Sequence, residues 1–394
     1  MRSRTGNRRA VVAAIALLGC LCGPVASAGA STAEWNQPSF VFPDDDSCRP
    51  GLCDPPPPVV TVRGEPGERN LLQITREGAT LVIRDGGAAI RAGNRCTAQA
   101  DGSVWCPSTS LVVRAGDGDD TVLDGAIGTI EGGAGNDTLV SAGSVTGGDG
   151  NDALAGGFLL DGGAGDDVLS AGDGPQTLTP GPGADRVTAG AGDDLIVDEA
   201  GAPAADLIDA GEGVDALFFT GRAEAVSVNL SHTAQRAGSA GENNAITGFE
   251  LASGGAGDDT IKLGLPVAVG SLFSQLPLGR GDDRLSLAAE VRVRFLAGPG
   301  DDVLSGSDGR DTLEAGSGRD RVRGGAGNDE LRGGKDRDSL DGGAGRDRVY
   351  GGSGNDVIRS GSGTDRVDCG AGRADSLRAD RRDRVRRCER VRRR

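Results

Sequence analysis

Aspartate recurs at one fixed position of a nine-residue unit through much of this 394-residue chain. The unit is clearest in four stretches: GGAGNDTLV at 132–140, GGAGDDVLS at 162–170, GGAGNDELR at 324–332 and GGSGNDVIR at 351–359. They share the pattern G-G-x-G-x-D-x-U-x, in which U is an apolar residue. A carboxylate that returns in every unit is a hard oxygen donor, so the repeated chemistry is that of a cation ligand.

The same unit predicts the elements that position these carboxylates. Six glycine-rich residues form a turn, and the last three form a short strand whose middle, apolar side chain points inward. Glycine suits such turns because it adopts positive φ angles without steric cost. Stacked units therefore predict an all-β, parallel β-roll, a β-solenoid whose neighbouring strands lie about 4.8 Å apart.

The spacing of the sixth-position aspartates predicts how the units stack. From Asp302 to Asp365 they follow one another at nine residues, so two units make one 18-residue turn and both edges of the roll carry acidic loops. Asp120, Asp137 and Asp152 are instead 17 and 15 residues apart, with short pieces that lack aspartate between them. We expect a single row of carboxylates in this earlier part and two rows, one along each edge, in the later part.

Aspartates from neighbouring turns would repel one another unless a cation lies between them. Carboxylate and backbone carbonyl oxygens suit Ca²⁺, whereas Mg²⁺ prefers a tighter octahedron with more water, and softer metals prefer His or Cys. Turn propensity alone explains Asp-Gly pairs, but not aspartate at one position of nearly every unit. The predicted calcium ligands are Asp120, Asp137, Asp152, Asp167, Asp185, Asp194, Asp215, Asp259, Asp283, Asp302, Asp311, Asp320, Asp329, Asp338, Asp347, Asp356 and Asp365.

These units resemble the RTX family of haemolysin-type calcium-binding repeats over most of residues 115–378. The resemblance implies a right-handed roll in which the sixth-position aspartate and nearby glycine-rich carbonyls bind Ca²⁺ between successive turns. The whole layout resembles secreted calcium-binding repeat proteins of GC-rich Gram-positive bacteria. Gln176 departs from the family pattern because it replaces an aspartate. Arginine also stands at the fifth position, where Asn or Asp is frequent, in four units: Arg310, Arg319, Arg337 and Arg346.

The composition limits the classes of protein and partner. With 69 glycines and 3% aromatic residues, the chain has too few large apolar side chains for a hydrophobic core of the usual kind. The net charge is −16, but residues 373–394 carry eleven arginines against four acidic residues, a net of +7, which leaves −23 for the remainder. This acidity excludes nucleic acid as a partner and requires counter-cations. The arginine-rich end is either a contact for an anionic cell-wall polymer or polysaccharide, or a solvated end of the chain.

The N-terminus has the pattern of a signal peptide. Four arginines precede the apolar residues 10–18, which are too few to span a bilayer, and Ala26-Ser27-Ala28 fits the cleavage rule. The alternative is a lipoprotein cleavage box that ends at Cys20. We therefore expect an extracellular monomer without a transmembrane segment. The six cysteines that follow form three local pairs predicted as disulfides: Cys48 with Cys53, Cys96 with Cys106, and Cys369 with Cys388.

These features divide the chain into seven predicted segments. They are a signal peptide at 1–28, a proline-rich spacer at 29–58, an N-terminal β cap at 59–114, a first repeat block at 115–218, a connector docked on the stack at 219–253, a second repeat block at 254–378 and an arginine-rich terminal cap at 379–394.

The sequence lacks the common catalytic motifs. His232 is the single histidine, which excludes H-E-x-x-H, and neither G-x-S-x-G nor a Walker A loop is present. We therefore expect a secreted calcium-binding protein rather than an enzyme, with a structural or cell-surface interaction role and with folding coupled to Ca²⁺. The alternative is an extracellular, for example polysaccharide-active, enzyme that uses the roll as a scaffold, because the carboxylate pairs of glycoside hydrolysis have no sequence motif.

Overall fold

The computed structural model describes residues 32–36, 59–64, 67, 69–86, 91–92, 96–108, 110–199, 204–220, 222–230, 235–238, 244–264, 275–288 and 294–393. The predictions for the signal peptide, for Cys48 and Cys53, and for His232 lie outside the described residues. All regular structure within these ranges is β-strand, arranged as a parallel β-solenoid of about 14 turns. The predicted all-β roll is therefore confirmed. No helix of the described ranges is long and apolar enough to cross a membrane.

The strands fall into four groups along the chain. Before the repeats lie β1 (Thr32–Asn36), β2 (Val59–Arg63), β3 (Leu71–Glu77), β4 (Thr80–Asp85), β5 (Arg91–Ala92), β6 (Thr97–Ala98), β7 (Val104–Pro107) and β8 (Ser110–Asp117). The first repeat block contains β9 (Thr121–Asp124), β10 (Thr129–Ala134), β11 (Thr138–Ser141), β12 (Ser144–Asp149), β13 (Ala153–Gly156), β14 (Leu159–Ala164), β15 (Val168–Ser170), β16 (Thr177–Thr179), β17 (Arg186–Thr188), β18 (Leu195–Glu199), β19 (Leu207–Asp209) and β20 (Asp215–Thr220).

The connector contains β21 (Ser227–Leu230), β22 (Gln235–Ala237), β23 (Asn244–Thr247) and β24 (Phe249–Ala252). The remaining strands are β25 (Thr260–Leu263), β26 (Gln275–Pro277), β27 (Arg284–Leu287), β28 (Arg294–Pro299), β29 (Val303–Ser305), β30 (Thr312–Ser317), β31 (Arg321–Arg323), β32 (Ala326–Gly327), β33 (Glu330–Lys335), β34 (Ser339–Asp341), β35 (Ala344–Gly345), β36 (Arg348–Ser353), β37 (Val357–Arg359), β38 (Ser362–Gly363), β39 (Arg366–Ala371), β40 (Ser376–Ala379), β41 (Arg384–Arg386) and β42 (Arg390–Arg393).

Each turn of the roll gives one strand to each of two faces. The first face runs through β8, β10, β12, β14, β16, β18, β20 and β24, and continues with β26, β28, β30, β33, β36, β39 and β41. The second face begins with β9, β11, β13, β15, β17 and β19 and ends with β25, β27, β29, β31, β34, β37, β40 and β42. We call the turns that lead from the first to the second face the first edge, and the opposite turns the second edge.

The strand register agrees with the turn lengths expected from the aspartate spacing. In the first block, Ile130 aligns with Val145, and Val145 aligns with Leu160. In the second block, Leu331 aligns with Val349, one 18-residue turn later. All five side chains are fully buried, and each is the second residue of its strand. The core therefore receives one large apolar side chain from most strands of the repeat blocks.

The connector inserts a reversed strand into the second face. β23 pairs in parallel with β19, β22 runs antiparallel between β23 and β21, and β21 pairs in parallel with β25. The second face thus stays continuous between the two repeat blocks. Arg222 is buried in this region, where its guanidinium forms an ion pair with Asp198.

Additional strands and disulfides close both ends of the stack. At the N-terminal end, β2 pairs with β8 and β3 with β9, while β4 and β7 extend the sheet with antiparallel pairs. A disulfide joins Cys96 to Cys106 there, and a second joins Cys369 to Cys388 at the C-terminal end. Both bonds confirm the predicted pairs.

Candidate metal sites

Glycine allows the loops of successive turns to lie against one another. In the loop 132–137, Gly133 has a φ of 125° and Gly135 a φ of 131°. A Cβ atom on Gly133 would lie only 1.9 Å from the carbonyl oxygen of Gly116 in the preceding turn. Any other residue here would therefore push neighbouring turns apart and separate the side chains that follow the loop.

The sixth-position aspartates link these loops into continuous rows. The backbone N–H of Asp120 donates to Oδ1 of Asp137 at 2.8 Å, and the N–H of Asp137 donates to Oδ1 of Asp152 at the same distance. The three side chains are almost completely buried. We call such a series, in which each side-chain oxygen accepts the N–H of the corresponding residue one turn earlier, a carboxylate row.

Four carboxylate rows run along the two edges. On the first edge, one row contains Asp120, Asp137, Asp152, Asp167, Asp185, Asp206 and Asn244, and a second contains Asp259, Asp283, Asp302, Asp320, Asp338, Asp356, Asp375 and Glu389. On the second edge, one row contains Gln176, Asp194, Asp215 and Glu250, and the other contains Asp311, Asp329, Asp347, Asp365 and Asp383. Every aspartate predicted as a ligand lies in one of these rows.

The arrangement of the rows follows the repeat spacing. Asp120, Asp137, Asp152 and Asp167 share one edge, and the tight turns opposite them bring no carboxylate into a row before Asp194, which follows Gln176. In the second block, partners from Asp302 to Asp365 are 18 residues apart, as between Asp320 and Asp338, whereas Asp259 and Asp283 before them are 24 residues apart. Two units therefore form one turn there.

The rows also contain residues that the nonapeptide pattern did not identify. Asp206, Asp375 and Asp383 occupy row positions although their loops lack the full glycine pattern. All three begin the triplet D-x-U that leads into a strand, as in Asp383-Arg384-Val385. Asn244, Glu250 and Glu389 end three of the rows. A search for D-x-U alone would have found the three aspartates.

In most aspartates of the four rows, the second carboxylate oxygen accepts no hydrogen bond from the described part of the chain. For 15 of the 17 predicted aspartates, Oδ2 is buried and accepts no hydrogen bond within the described part of the chain. The exceptions are Asp259 and Asp311, whose Oδ2 atoms each accept a backbone N–H at 2.7 Å, from Gly255 and Ser307 respectively. Because a buried carboxylate oxygen without a partner is unfavourable, these atoms require an electropositive group beside them.

The first glycine of the unit leaves a space beside that oxygen. A Cβ atom on Gly333 would lie 2.4 Å from Oδ2 of Asp338 and 2.6 Å from the carbonyl oxygen of Gly351 in the next turn. The same pair, an Oδ2 and a carbonyl of the next turn, faces nine such glycines: Gly132, Gly147, Gly162, Gly254, Gly306, Gly324, Gly333, Gly342 and Gly351. We call each of these spaces a glycine cradle.

The donors at the glycine cradles fit calcium. They are hard oxygens, one from a carboxylate and one from the backbone, and calcium accepts such mixed sets with flexible geometry. No group of three or more His, Cys, Asp or Glu side chains in the described ranges converges as a metal site. Backbone carbonyls would therefore have to complete the ligand set, since side chains alone are too few.

Burial and mutual repulsion raise the pKa values of the row carboxyls. Burial, together with the neighbouring Asp320 and Asp356, raises the pKa of Asp338 to about 8. Burial also raises the pKa of Asp167 to about 7, with smaller contributions from Asp152 and Asp185. Without a cation these groups therefore hold protons near neutral pH.

A second series of hydrogen bonds, which we call the outer row, links the residues at the fifth position of units in successive turns. Arginine at the fifth position interrupts this outer row. At the fifth position, the N–H of Asn151 donates to Oδ1 of Asn136 at 2.8 Å. Arg319 continues this outer row on one side only: its N–H donates to Oδ1 of Asp301 at 2.7 Å, but its own side chain has no acceptor for the next turn. Gln176 keeps its place in a carboxylate row, because its N–H donates to Oδ1 of Asp194 at 2.8 Å. Arginine at the fifth position thus ends the outer row and leaves the carboxylate row intact.

Comparison with known proteins agrees with this geometry. The family model of the RTX calcium-binding nonapeptide repeat (4 copies) matches seven stretches of the chain: 127–143, 144–158, 159–175, 179–217, 246–265, 296–331 and 332–367. No curated protein matches the chain.

Filling one glycine cradle should remove calcium binding there without changing any charge. Gly333 does not have a positive φ, so Gly333→Ala introduces a steric conflict with Asp338 Oδ2 and the Gly351 carbonyl but no left-handed strain. We expect the variant to bind about one calcium ion fewer per chain, and its calcium-loaded form to lose about 1–3 kcal/mol of stability. Isothermal titration calorimetry and thermal unfolding measure the two quantities.

Gly172→Ala is the matched control for this substitution. A Cβ atom on Gly172 would meet nothing within 4 Å, and its φ is not positive. This variant should bind calcium with the stoichiometry of the unsubstituted chain. Equal stoichiometry for Gly333→Ala and the unsubstituted chain would show that the glycine cradle is not a calcium site.

Acid should favour the folded roll when calcium is removed. The pKa of an aspartate in an unfolded chain is about 3.9, whereas burial raises that of Asp329 to about 7 and that of Asp338 to about 8. Because these folded-state values are raised, protonation stabilises the roll; the contribution is fully present below about pH 4 and is lost as the pH rises through about 6–8. Circular dichroism in chelator should therefore show more β-structure at pH 5 than at pH 8.

Calcium affinity should be lower at pH 5 than at pH 8, because protons compete with calcium for the same carboxylate oxygens. A β-signal in chelator that is equal at both pH values, or stronger at pH 8, would contradict the raised pKa values of the row aspartates.

Proposed function

Because the chain belongs to the family of RTX calcium-binding repeat proteins, we propose that it is an exported protein whose β-roll folds when calcium binds along its edges. The unpaired Oδ2 atoms that face the glycine cradles are the observation that carries this proposal. Calcium supplies the positive charge that lets neighbouring buried carboxylates remain ionised. The role of the roll is structural or lies in interactions at the cell surface.

The protein's own residues support the coupling of folding to calcium. Hydrogen bonds link Asp320, Asp338 and Asp356 in one carboxylate row. The negative charges of Asp320 and Asp356 contribute to the raised pKa of Asp338. The hydrophobic core offers little compensation, because most strands of the repeat blocks bury only one or two apolar side chains. A calcium-free chain at neutral pH thus combines strong repulsion with a small core, which favours the unfolded state.

The sequence and the disulfides support export. Residues 1–28 have the pattern of a signal peptide, and bonds between Cys96 and Cys106 and between Cys369 and Cys388 are typical of exported proteins. The acidic body and the arginine-rich end suit a monomer that contacts an anionic cell-wall polymer or polysaccharide.

The proposed binding role is preferred to a polysaccharide-active enzyme for a physical reason. Catalytic carboxylates of a glycosidase must face a substrate. The row carboxylates instead are buried, and each directs Oδ1 to a backbone N–H of the neighbouring turn, as Asp338 does toward Asp320. This arrangement suits the binding of small cations between loops.

Calcium should convert a largely disordered chain into the β-roll. In chelator at pH 7.5 or so, we expect a far-ultraviolet circular dichroism spectrum without a β-signal, because the rows repel. Calcium at roughly 10⁻⁴–10⁻³ M, the range of extracellular modules, should restore the β-signal. Magnesium at the same concentration is the control and should restore much less. A full β-signal in chelator contradicts the proposal.

Export should remove the first 28 residues. Cleavage after Ala28 makes Gly29 the first residue of the exported chain. N-terminal sequencing of the protein collected from the medium measures this directly. A chain that stays in the membrane fraction with a lipid on Cys20 would instead establish the lipoprotein alternative.

A further inference from the structure

Three arginines stand side by side on the outer surface of the first face near the C-terminal end. Arg348 on β36 aligns with Arg366 on β39, and Arg366 aligns with Arg384 on β41. Adjacent strands are about 4.8 Å apart, so the three side chains follow the roll axis in a straight line. We call Arg348, Arg366 and Arg384 the arginine row.

The arginine row has no acidic partner within the described residues. Glu330, which aligns with Arg348 on the neighbouring strand, forms its ion pair with Arg332 instead, and Asp368, which aligns with Tyr350, forms its ion pair with Arg387. Arg366 and Arg384 are exposed, and Arg348 is half-buried. Like charges directly opposite one another on neighbouring strands destabilise a sheet. An anion that lies along the row would remove this repulsion.

An aromatic ring lies beside the arginine row. Tyr350, two residues after Arg348 on the same strand, points to the same outer surface and is 37% exposed. The guanidinium of Arg332 lies 5.0 Å from the centroid of its ring, which holds the ring in place. An exposed aromatic face next to cationic groups suits a ligand that has both apolar C–H surfaces and negative charges, as an acidic sugar does.

The corresponding residues of the second face are a less suitable site. Arg359, Arg378 and Arg392 are also aligned there, on β37, β40 and β42. However, Arg359 already lies 3.8 Å from a carboxylate oxygen of Asp341. The first face is therefore the one with three unpaired cations and an aromatic ring.

We propose that the arginine row and Tyr350 bind a carboxylate-bearing polysaccharide, a polyuronate, extended along the roll axis. Each guanidinium can pair with a carboxylate through two parallel hydrogen bonds, and the row presents one guanidinium on each successive strand, about every 4.8 Å, to a polymer that carries carboxylates at regular intervals. The ring of Tyr350 packs on the face of one sugar unit. The inference rests on the proposed extracellular role, and it names the class of polymer and the surface that contacts it.

Binding of hexagalacturonate to the full mature chain in calcium tests the proposal. A short oligomer is used because calcium crosslinks long polyuronates. The triple variant Arg348→Gln, Arg366→Gln and Arg384→Gln should bind about tenfold more weakly by calorimetry, because it loses three ion pairs that are each modest at an exposed surface. Tyr350→Ala should also weaken binding. Circular dichroism in calcium verifies that both variants keep the β-roll.

The matched control removes the same charge from the same end of the chain. Arg373, Arg381 and Arg382 are exposed and lie in turns outside the arginine row. Their joint replacement by Gln should leave hexagalacturonate binding within about twofold of the unsubstituted chain, because none of the three lies on β36, β39 or β41, where the arginine row aligns its cations. An equal loss in both triple variants would overturn the proposal in favour of nonspecific attraction by the tail.

Two further binding measurements, one with a phosphodiester polymer and one in chelator, distinguish the remaining explanations. Poly(glycerol phosphate) that binds as tightly as hexagalacturonate and is insensitive to Tyr350→Ala would overturn the proposal in favour of a phosphodiester polymer. Hexagalacturonate that binds equally well in chelator, where the β-signal is absent, would overturn it because an unfolded chain has no arginine row. Calcium-dependent folding without hexagalacturonate binding contradicts this inference alone, whereas a roll that folds without calcium contradicts the proposed function.

Discussion

Buried carboxylates that are repeated once per turn, each directly beside the next, are the constraint on which the rest of this fold depends. Oδ1 of each aspartate is satisfied by a backbone N–H of the preceding turn, as in the pair Asp302 and Asp320. In 15 of the 17 predicted aspartates, Oδ2 is buried and accepts no hydrogen bond from the described part of the protein. Repulsion between such groups grows as water is excluded, so the rows are stable only with protons or with cations beside them.

Glycine makes this arrangement sterically possible in two ways. A positive φ at positions such as Gly133 brings the loops of neighbouring turns into contact. The absence of a Cβ at the first glycine of the unit, such as Gly333, leaves space between Oδ2 and the carbonyl of the next turn. Glycine thus occupies positions that apolar side chains would take in an ordinary protein, so the hydrophobic core is small. Bound cations supply part of the stabilisation that a larger core would give. Closure of both ends with strands and disulfides protects a stack whose terminal edges would otherwise pair with other chains.

The sequence predicts the repeated part of the structure well, because turn chemistry and inward apolar residues occur together in each unit. The spacing of Asp302 and Asp320 predicts the 18-residue turn, and the irregular spacing after Asp120 predicts the single row from Asp120 to Asp167. Asp206 and Asp375 escape the pattern because their loops have lost the paired glycines while keeping the following strand. The reversed strand β22 carries no nonapeptide unit, and its position is set by antiparallel pairing with β21 and β23, its neighbours on either side in the chain. The arginine row likewise emerges only from strand register, which aligns residues 18 positions apart.

Anomalous diffraction from crystals grown with calcium tests the central claim most directly, because it locates the ions. We expect ions beside Oδ2 of the row aspartates, with one line along each edge of the second block. From Asp120 to Asp167 a single line should run beside Asp137 and Asp152, and the line on the opposite edge should begin only at Asp194. Neighbouring ions of one line should be separated by one turn, about 4.8 Å. Folded crystals whose glycine cradles hold no ion, or ions found only on the outer faces of the sheets, would contradict it.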